Sequence, residues 1–472
     1  MAVSIVGILV ALFLFLFLVY KGWSVLYVAP LCVLIVAVTG GINPLEALTQ
    51  HFVPGVVEMV GMLFWVIFLG AIMGKLYADT GAAASLTQTL MNKFVLNVEG
   101  DKRIKRAMIV IVVVTAILTF GGIDAFILCF LMFPLCRSIA KQLNIPRRLV
   151  PAMLCTSAVL MGSPLAPQFN NILATQILHL RPSAGLIPGL IAALIGEIGI
   201  YFVLSRTVLK AIKNGETYDD GPLPPLEGTG GKKLPNFWVC LIPLILVIVI
   251  YNGSFGIPVV AKYNAGIIIA LAAGILSTMI LLGKYISRES LIPGQGKLGY
   301  YRSFIRSLNA GADNYPNPIF AVCTPAGLAK VITATAAFGV IVGALPGLPV
   351  HPLLLTFIFA LIIVTLTSSP PVTLAVIIPI LGGMFGIFAA AEGGPPPVVT
   401  AGAIARVAAL TTTTFETLPF NGLITLACVI LSRVSVKEGY APIFGQTVVC
   451  TTIATIIALV LFMLFPGLGN IG

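Results

Sequence analysis

Apolar residues run along the chain in blocks of roughly 15 to 25, each long enough to cross or enter a ~30 Å hydrocarbon core. The blocks fall in one order, written twice. Spans at 2–20, 24–39 and 56–78 precede an apolar stretch at 107–136, an interrupted span at 149–180 and a further span at 185–205. Spans at 236–252, 264–283 and 307–345 then precede a stretch at 353–390, an interrupted span at 400–432 and a last span at 443–465. TFGGIDA (119–125) and TSSPPVT (367–373) divide the two apolar stretches near their middles, as expected of re-entrant hairpins. SPLAPQFNN (163–171) and FETLPFNG (415–422) break the spans that follow.

The placement of basic residues decides which segments cross. Lys and Arg gather at Lys21, Lys93 to Arg106, Arg137 to Arg148, Arg206 to Lys233, Lys284 to Arg306, and Arg433 with Lys437. The connections 41–54, 253–261, 346–352 and 391–399 carry none. All the clusters can be cytoplasmic only if 107–136 returns to the cytoplasm and 353–390 returns outside. The first copy then starts outside and the second inside. Both termini are expected outside, and 214–235, rich in Pro, Gly and charge, is expected to be a cytoplasmic linker. The expected fold is an all-α polytopic membrane protein of two inverted-topology repeats, 1–213 and 236–472. GKLYADTGA (74–82) aligns with AKVITATAA (329–337), setting Lys75 opposite Lys330 as helix-end anchors.

Composition agrees: 58% of the 472 residues are hydrophobic, 9% are charged and mean hydropathy is +1.08. That excludes an ordinary soluble enzyme, which carries roughly 25% charged residues. The net charge of +11 reads as loop asymmetry rather than nucleic-acid binding. The eight cysteines fall in or beside apolar runs without metal spacing. No GxxxxGK[ST] occurs, so no nucleotide is expected and an ion gradient would drive any transport.

The four interruptions hold most polar side chains at membrane depth. They supply Gly121, Gly122 and Asp124; Ser163, Gln168, Asn170 and Asn171; Thr367, Ser368, Ser369 and Thr373; and Thr414, Glu416, Thr417 and Asn421. Broken helices expose N–H groups that suit a carboxylate, and no arginine lies inside a break. The expected ligand is a small organic anion of low charge. The competing reading is that Ser, Thr and Asn only cap broken helices. Asp124 and Glu416 are the acids of the interruptions and the candidates for carrying a proton, with sodium held by hydroxyls and carbonyls as the alternative. No cofactor or metal is expected. Asp313 is a candidate for gating. Arg406 could attract the anion, pair with Glu416 or snorkel. Asn252-Gly253-Ser254 matches a glycosylation sequon of little specificity. An intramembrane enzyme lacks HExxH and GxSxG, and a channel would show a continuous polar stripe.

GAIMGKLYADTGAAASLTQTL (70–90), the segment Gly121 to Asp124, and FETLPFNGLITL (415–426) resemble the gluconate permease family of proton symporters, within a superfamily of elevator-type carriers. The resemblance implies a dimerising scaffold, a moving domain with hairpins and broken helices, and a homodimer in a bacterial inner membrane. SPLAPQFNN stands where gluconate carriers have a histidine-containing, proline-rich stretch, and FETLPFNG replaces an Asn-Asp-Pro-Gly pattern. The chain is similar in this to a branch associated with short-chain monocarboxylates such as hydroxybutyrate, which are therefore expected rather than gluconate.

Overall fold

In hydrocarbon every backbone N–H and C=O must be satisfied within the segment, so apolar runs become helices. The computed structural model describes residues 2–21, 23–123, 125–223, 233–253, 265–288, 298–313, 315–344, 350–367, 370–419 and 421–471, which form helices and turns with no strand among them.

α1 (Ala2–Tyr20) and α2 (Val25–Gly40) pack as a pair. Ser24 caps α2, and Gly41 closes it at φ 73°. α3 (Val53–Asp79) is entered through helical turns from Pro44, and the run Pro44–Gly61 is inclined by 50° to Phe64–Asp79. α4 (Ala82–Phe94) leads to α5 (Gly100–Phe120) and α6 (Ala125–Gln142), which pack on each other. After an interruption come α7 (Phe169–Ile177) and α8 (Leu186–Lys213).

In the second half, α9 (Phe237–Gly253) packs on α10 (Gly266–Leu282), and α10 packs on α3. α11 (Tyr300–Asp313), α12 (Pro316–Ala334) and α13 (Ala336–Ala344) follow. α14 (Pro352–Thr367) and α15 (Pro370–Met384) pack as a second pair. α16 (Ala401–Thr412), α17 (Gly422–Leu431) and α18 (Val436–Leu464) complete the chain. The helix leaving each paired stretch rests on the third segment of its own half: α6 on α3, and α15 on α12.

Among the described residues α8, Gly266–Tyr285 and α18 are long and apolar enough to cross a membrane, and the bent pair ending at Asp79 makes a fourth. Several shorter apolar helices accompany them. Leu194 and Ile198 on α8 and Ile453 and Leu464 on α18 face outward, as suits a lipid-facing surface. The molecule is a polytopic helical membrane protein.

Three boundaries differ from the sequence expectation. α8 runs to Lys213 rather than 205, because TVLKAIK continues the helical pattern and Lys210 and Lys213 suit a C-terminus. Segment 307–345 is three helices: Pro316 starts a new one, and Thr335 is extended at ψ 143°. The first interrupted span leaves helix at Cys155, ahead of 163, and resumes at Phe169. Gly162 passes so close to α16 that a Cβ would lie 2.5 Å from the Ala409 carbonyl.

Of the linker, 224–232 lies outside the described residues. Its beginning is not free. Asp220 bridges Arg137 at 2.8 Å and Lys141 at 2.6 Å, and Arg148 holds Glu216 through two 2.6 Å bonds.

Candidate functional site

Between Cys155 and Gln168 the α-helix is lost, with a 3-10 turn at Ala158–Gly162, and the stretch carries carbonyls that a continuous α-helix would have satisfied. The structure meets them with long-range side chains. Gln168 donates to the carbonyls of Thr119 (2.6 Å) and Ile123 (3.2 Å), so it caps the end of α5 at the first tip. Asn171 donates to the carbonyls of Ala166 (2.9 Å) and Pro182 (3.2 Å). Asn252, from α9, donates to Leu165, whose φ is 67°, at 3.2 Å. That amide is committed to packing, which speaks against the sequon reading. Ser163 returns its hydroxyl to Val159.

Arg406 completes this work. It is fully buried on α16. Its Nε and Nη2 donate to Ala184, its Nη2 also to Pro182, and its Nη1 to Gly162 and to Asn171 Oδ1. All five guanidinium N–H groups are thereby used, none on a carboxylate. In this structure Arg406 is buried and bonded to the first break, which it splices onto the second half, rather than to Glu416 or at the surface. Pro182 shows how dense this junction is, since its carbonyl also accepts from the Leu165 N–H at 3.2 Å.

At the first tip, Gly121 and Gly122 pack against Leu244 of α9 and Leu271 of α10, where a Cβ would sit 2.3 and 2.8 Å from those side chains. Gly122 adopts φ 85°, which favours glycine. Their need is steric as well as electrostatic. Asp124, Ser368 and Ser369 lie outside the described residues, and of Thr367 only the backbone, the last residue of α14, is described. Thr373 is buried on α15. Asp313 is exposed at the end of α11 and does not line the pocket described below.

In the second break, Thr411, Thr412, Thr413 and Thr414 all return their hydroxyls to α16 or its last turn. Asn421 caps α17 through the Leu423 N–H at 2.7 Å. Capping therefore accounts for the observed bonds of Gln168, Asn171, Ser163, Thr414 and Asn421.

Two features stand apart from this capping. Asn170 is fully buried, and neither its amide nitrogen nor its oxygen has a hydrogen-bond partner. Glu416 and Thr417 line a cavity of about 20 Å³, room for one water-sized group. Its wall draws on both halves: Ala125 and Cys129 of α6, Cys155 and Ser157 of the first break, and Thr447 of α18. The Thr417 and Thr447 hydroxyls bond each other, and the Tyr440 hydroxyl donates to the Thr417 carbonyl at 3.0 Å. Ala125, which follows Asp124 in sequence, belongs to this wall.

Sequence reasoning passed over Thr447, Thr451 and Thr455, treating 443–465 as a plain span. All three are buried, and their i, i+4 spacing was the available signal. Gln446 beside them is fully buried with both amide atoms unpartnered.

The chain is of the class of helical membrane proteins whose interior polar groups gather at interrupted helices. The sequence model of the GntP family permeases matches residues 3–386, and the chain belongs to that family. An uncharacterized transporter of Bacillus subtilis is 29% identical over 260 residues, 52% of each chain. A gluconate permease of Zymomonas mobilis is 26% identical over 265 residues, 52% of this chain and 54% of that protein. A high-affinity gluconate transporter of Escherichia coli is 26% identical over 257 residues, 51% and 54% respectively. The chain spans about half the length of these curated relatives.

Proposed function

We propose that the chain is a proton-coupled symporter that brings a small hydroxy carboxylate into a bacterial cytoplasm by an elevator mechanism. The observation that carries this reading is the Glu416 cavity, where a carboxylate, hydroxyls and both halves of the chain meet. Glu416, with Asp124 from the first tip, carries the proton, and Asn170 with its unpartnered amide meets the substrate. With Arg406 committed to backbone carbonyls, neutral donors are left to hold the anion, which suits one of low charge. The relatives named for gluconate make gluconate the first substrate to test. The departures at 163–171 and 415–422 make a short-chain monocarboxylate such as hydroxybutyrate the second.

The succession of helix pair, broken helix and long helix in each half (α5 and α6 to α8, α14 and α15 to α18) supports inverted repeats at 1–213 and 236–472. In this reading the chain works as a homodimer in the inner membrane with both termini outside. The test is uptake by purified protein in liposomes. Labelled gluconate or 3-hydroxybutyrate should accumulate when the outside is acidified without sodium. Uptake that needs sodium at constant pH would overturn proton coupling, and hydroxyl groups around Glu416 would then be read as cation ligands.

A further inference from the structure

An opening that carries opposite charges lies away from Glu416. A pocket of about 250 Å³ sits between α3, α12 and α15, and Glu58 and Lys330 line it. That volume lies just below the range of small-molecule sites and suits a short carboxylate. Lys330 Nζ meets Glu58 Oε2 at 2.9 Å, and both side chains are half exposed, so the pair stands at the pocket's mouth. The stem of Lys330 is seated by a glycine: a Cβ on Gly55 would lie 2.8 Å from the Lys330 Cβ. Met59, Phe338 and Ile380 supply apolar wall for a carbon chain, and the Thr333 hydroxyl is turned back on the Lys330 carbonyl at 2.8 Å.

The geometry points to an outer binding site in which Lys330 takes the substrate carboxylate and Glu58 is the internal anion that it displaces. Lys330 is the one cation among the lining residues, and its partner is a carboxylate, the same group that a hydroxy acid presents. An exposed ion pair holds weakly, so the exchange costs little. The occupant would also touch α15, the helix leaving the second tip, through Ala375, Val376 and Ile380. Binding there is thus in contact with the element that leads to the second interruption. This inference rests on the carboxylate-transport reading and adds a station to it.

The two partners of a merely structural ion pair behave alike when removed; a ligand and its competitor behave oppositely. Uptake of labelled gluconate and labelled 3-hydroxybutyrate is measured in liposomes for Glu58→Gln, Lys330→Gln and Lys330→Arg. Glu58→Gln frees Lys330 and should lower KM about three- to tenfold; Lys330→Gln should raise it by a similar factor. Lys330→Arg should stay near the parent value, and maximal rates should stay within about twofold. KM values that move in the same direction for the two glutamine variants, or that do not move, overturn the outer site while leaving transport intact. A parent protein that carries neither acid under any ion gradient overturns the transport reading and this inference together.

Discussion

Arg406 Nη1 donates to Asn171 Oδ1 at 2.9 Å, a bond that joins α16 of the second half to α7 of the first across 235 positions of sequence. The same guanidinium gathers the carbonyls of Gly162, Pro182 and Ala184. A buried cation without a carboxylate is costly unless dipoles replace its hydration. Here the free carbonyls of an interrupted helix do so. The cation and the broken backbone solve each other's problem, and the interruption is held in one conformation.

Replacing Arg406 should therefore unfold the junction rather than weaken substrate binding. Arg406→Gln leaves several acceptors buried without donors, and a loss of at least about 3 kcal/mol is expected. Asn171→Ala should cost about 1–3 kcal/mol, and the double variant less than the sum, because both act on one network. Thermal melting of purified protein in detergent measures all three. Melting unchanged in Arg406→Gln, with a raised KM, would return Arg406 to the role of anion attractant.

The all-helical, apolar character of the chain was legible because apolar runs and Pro, Gly and Asn punctuation are local. What each polar residue does inside an interruption was not. Asn170 and Asn171 are neighbours with the same side chain, yet Asn171 is bonded to Arg406, Ala166 and Pro182 while Asn170 is bonded to nothing. Only the packing of α16 against α7 distinguishes them. The end of α8 is not visible in the apolar run either: Arg206 closes the run, yet the helix continues past it through Lys210 to Lys213.

Asn170 should separate stability from function. A buried amide with no partner is a standing cost to the fold, so Asn170→Ala should leave melting unchanged or raise it by up to about 1 kcal/mol equivalent. Uptake should fall at least tenfold if that amide meets the substrate. A variant both less stable and fully active would show that the amide serves the fold.

The strap that ties the start of the linker to the end of α6 and to Arg148 beyond it should be pH-sensitive. Lys141 and Arg137 hold the Asp220 carboxyl well below its ordinary range, and Arg148 lowers that of Glu216. A folded-state pKa below the unfolded one adds stability above the unfolded value, about 4 for these carboxyls. That stability is lost as pH falls through the lower folded values. Protection of 214–223 against hydrogen exchange, measured relative to the intrinsic rate at each pH, should be high at neutral pH and fall in acid, and Asp220→Asn with Glu216→Gln should lose that protection at neutral pH. Equal rates in the parent and the double variant would remove the strap's role.

Glu416→Gln tests the coupling group itself. Glutamine keeps the size and the hydrogen-bonding capacity but cannot load a proton, so the Glu416 cavity should persist and melting should change by no more than about 1 kcal/mol. Downhill exchange of labelled for unlabelled substrate should continue, whereas accumulation driven by an acid exterior should disappear, a split that follows from linkage between proton and substrate. Thr447→Val, which removes the hydroxyl bonded to Thr417, should lower both processes together because it disturbs the wall without touching the proton. Accumulation that survives in Glu416→Gln and vanishes when Asp124 is replaced by asparagine would move the proton to the first tip.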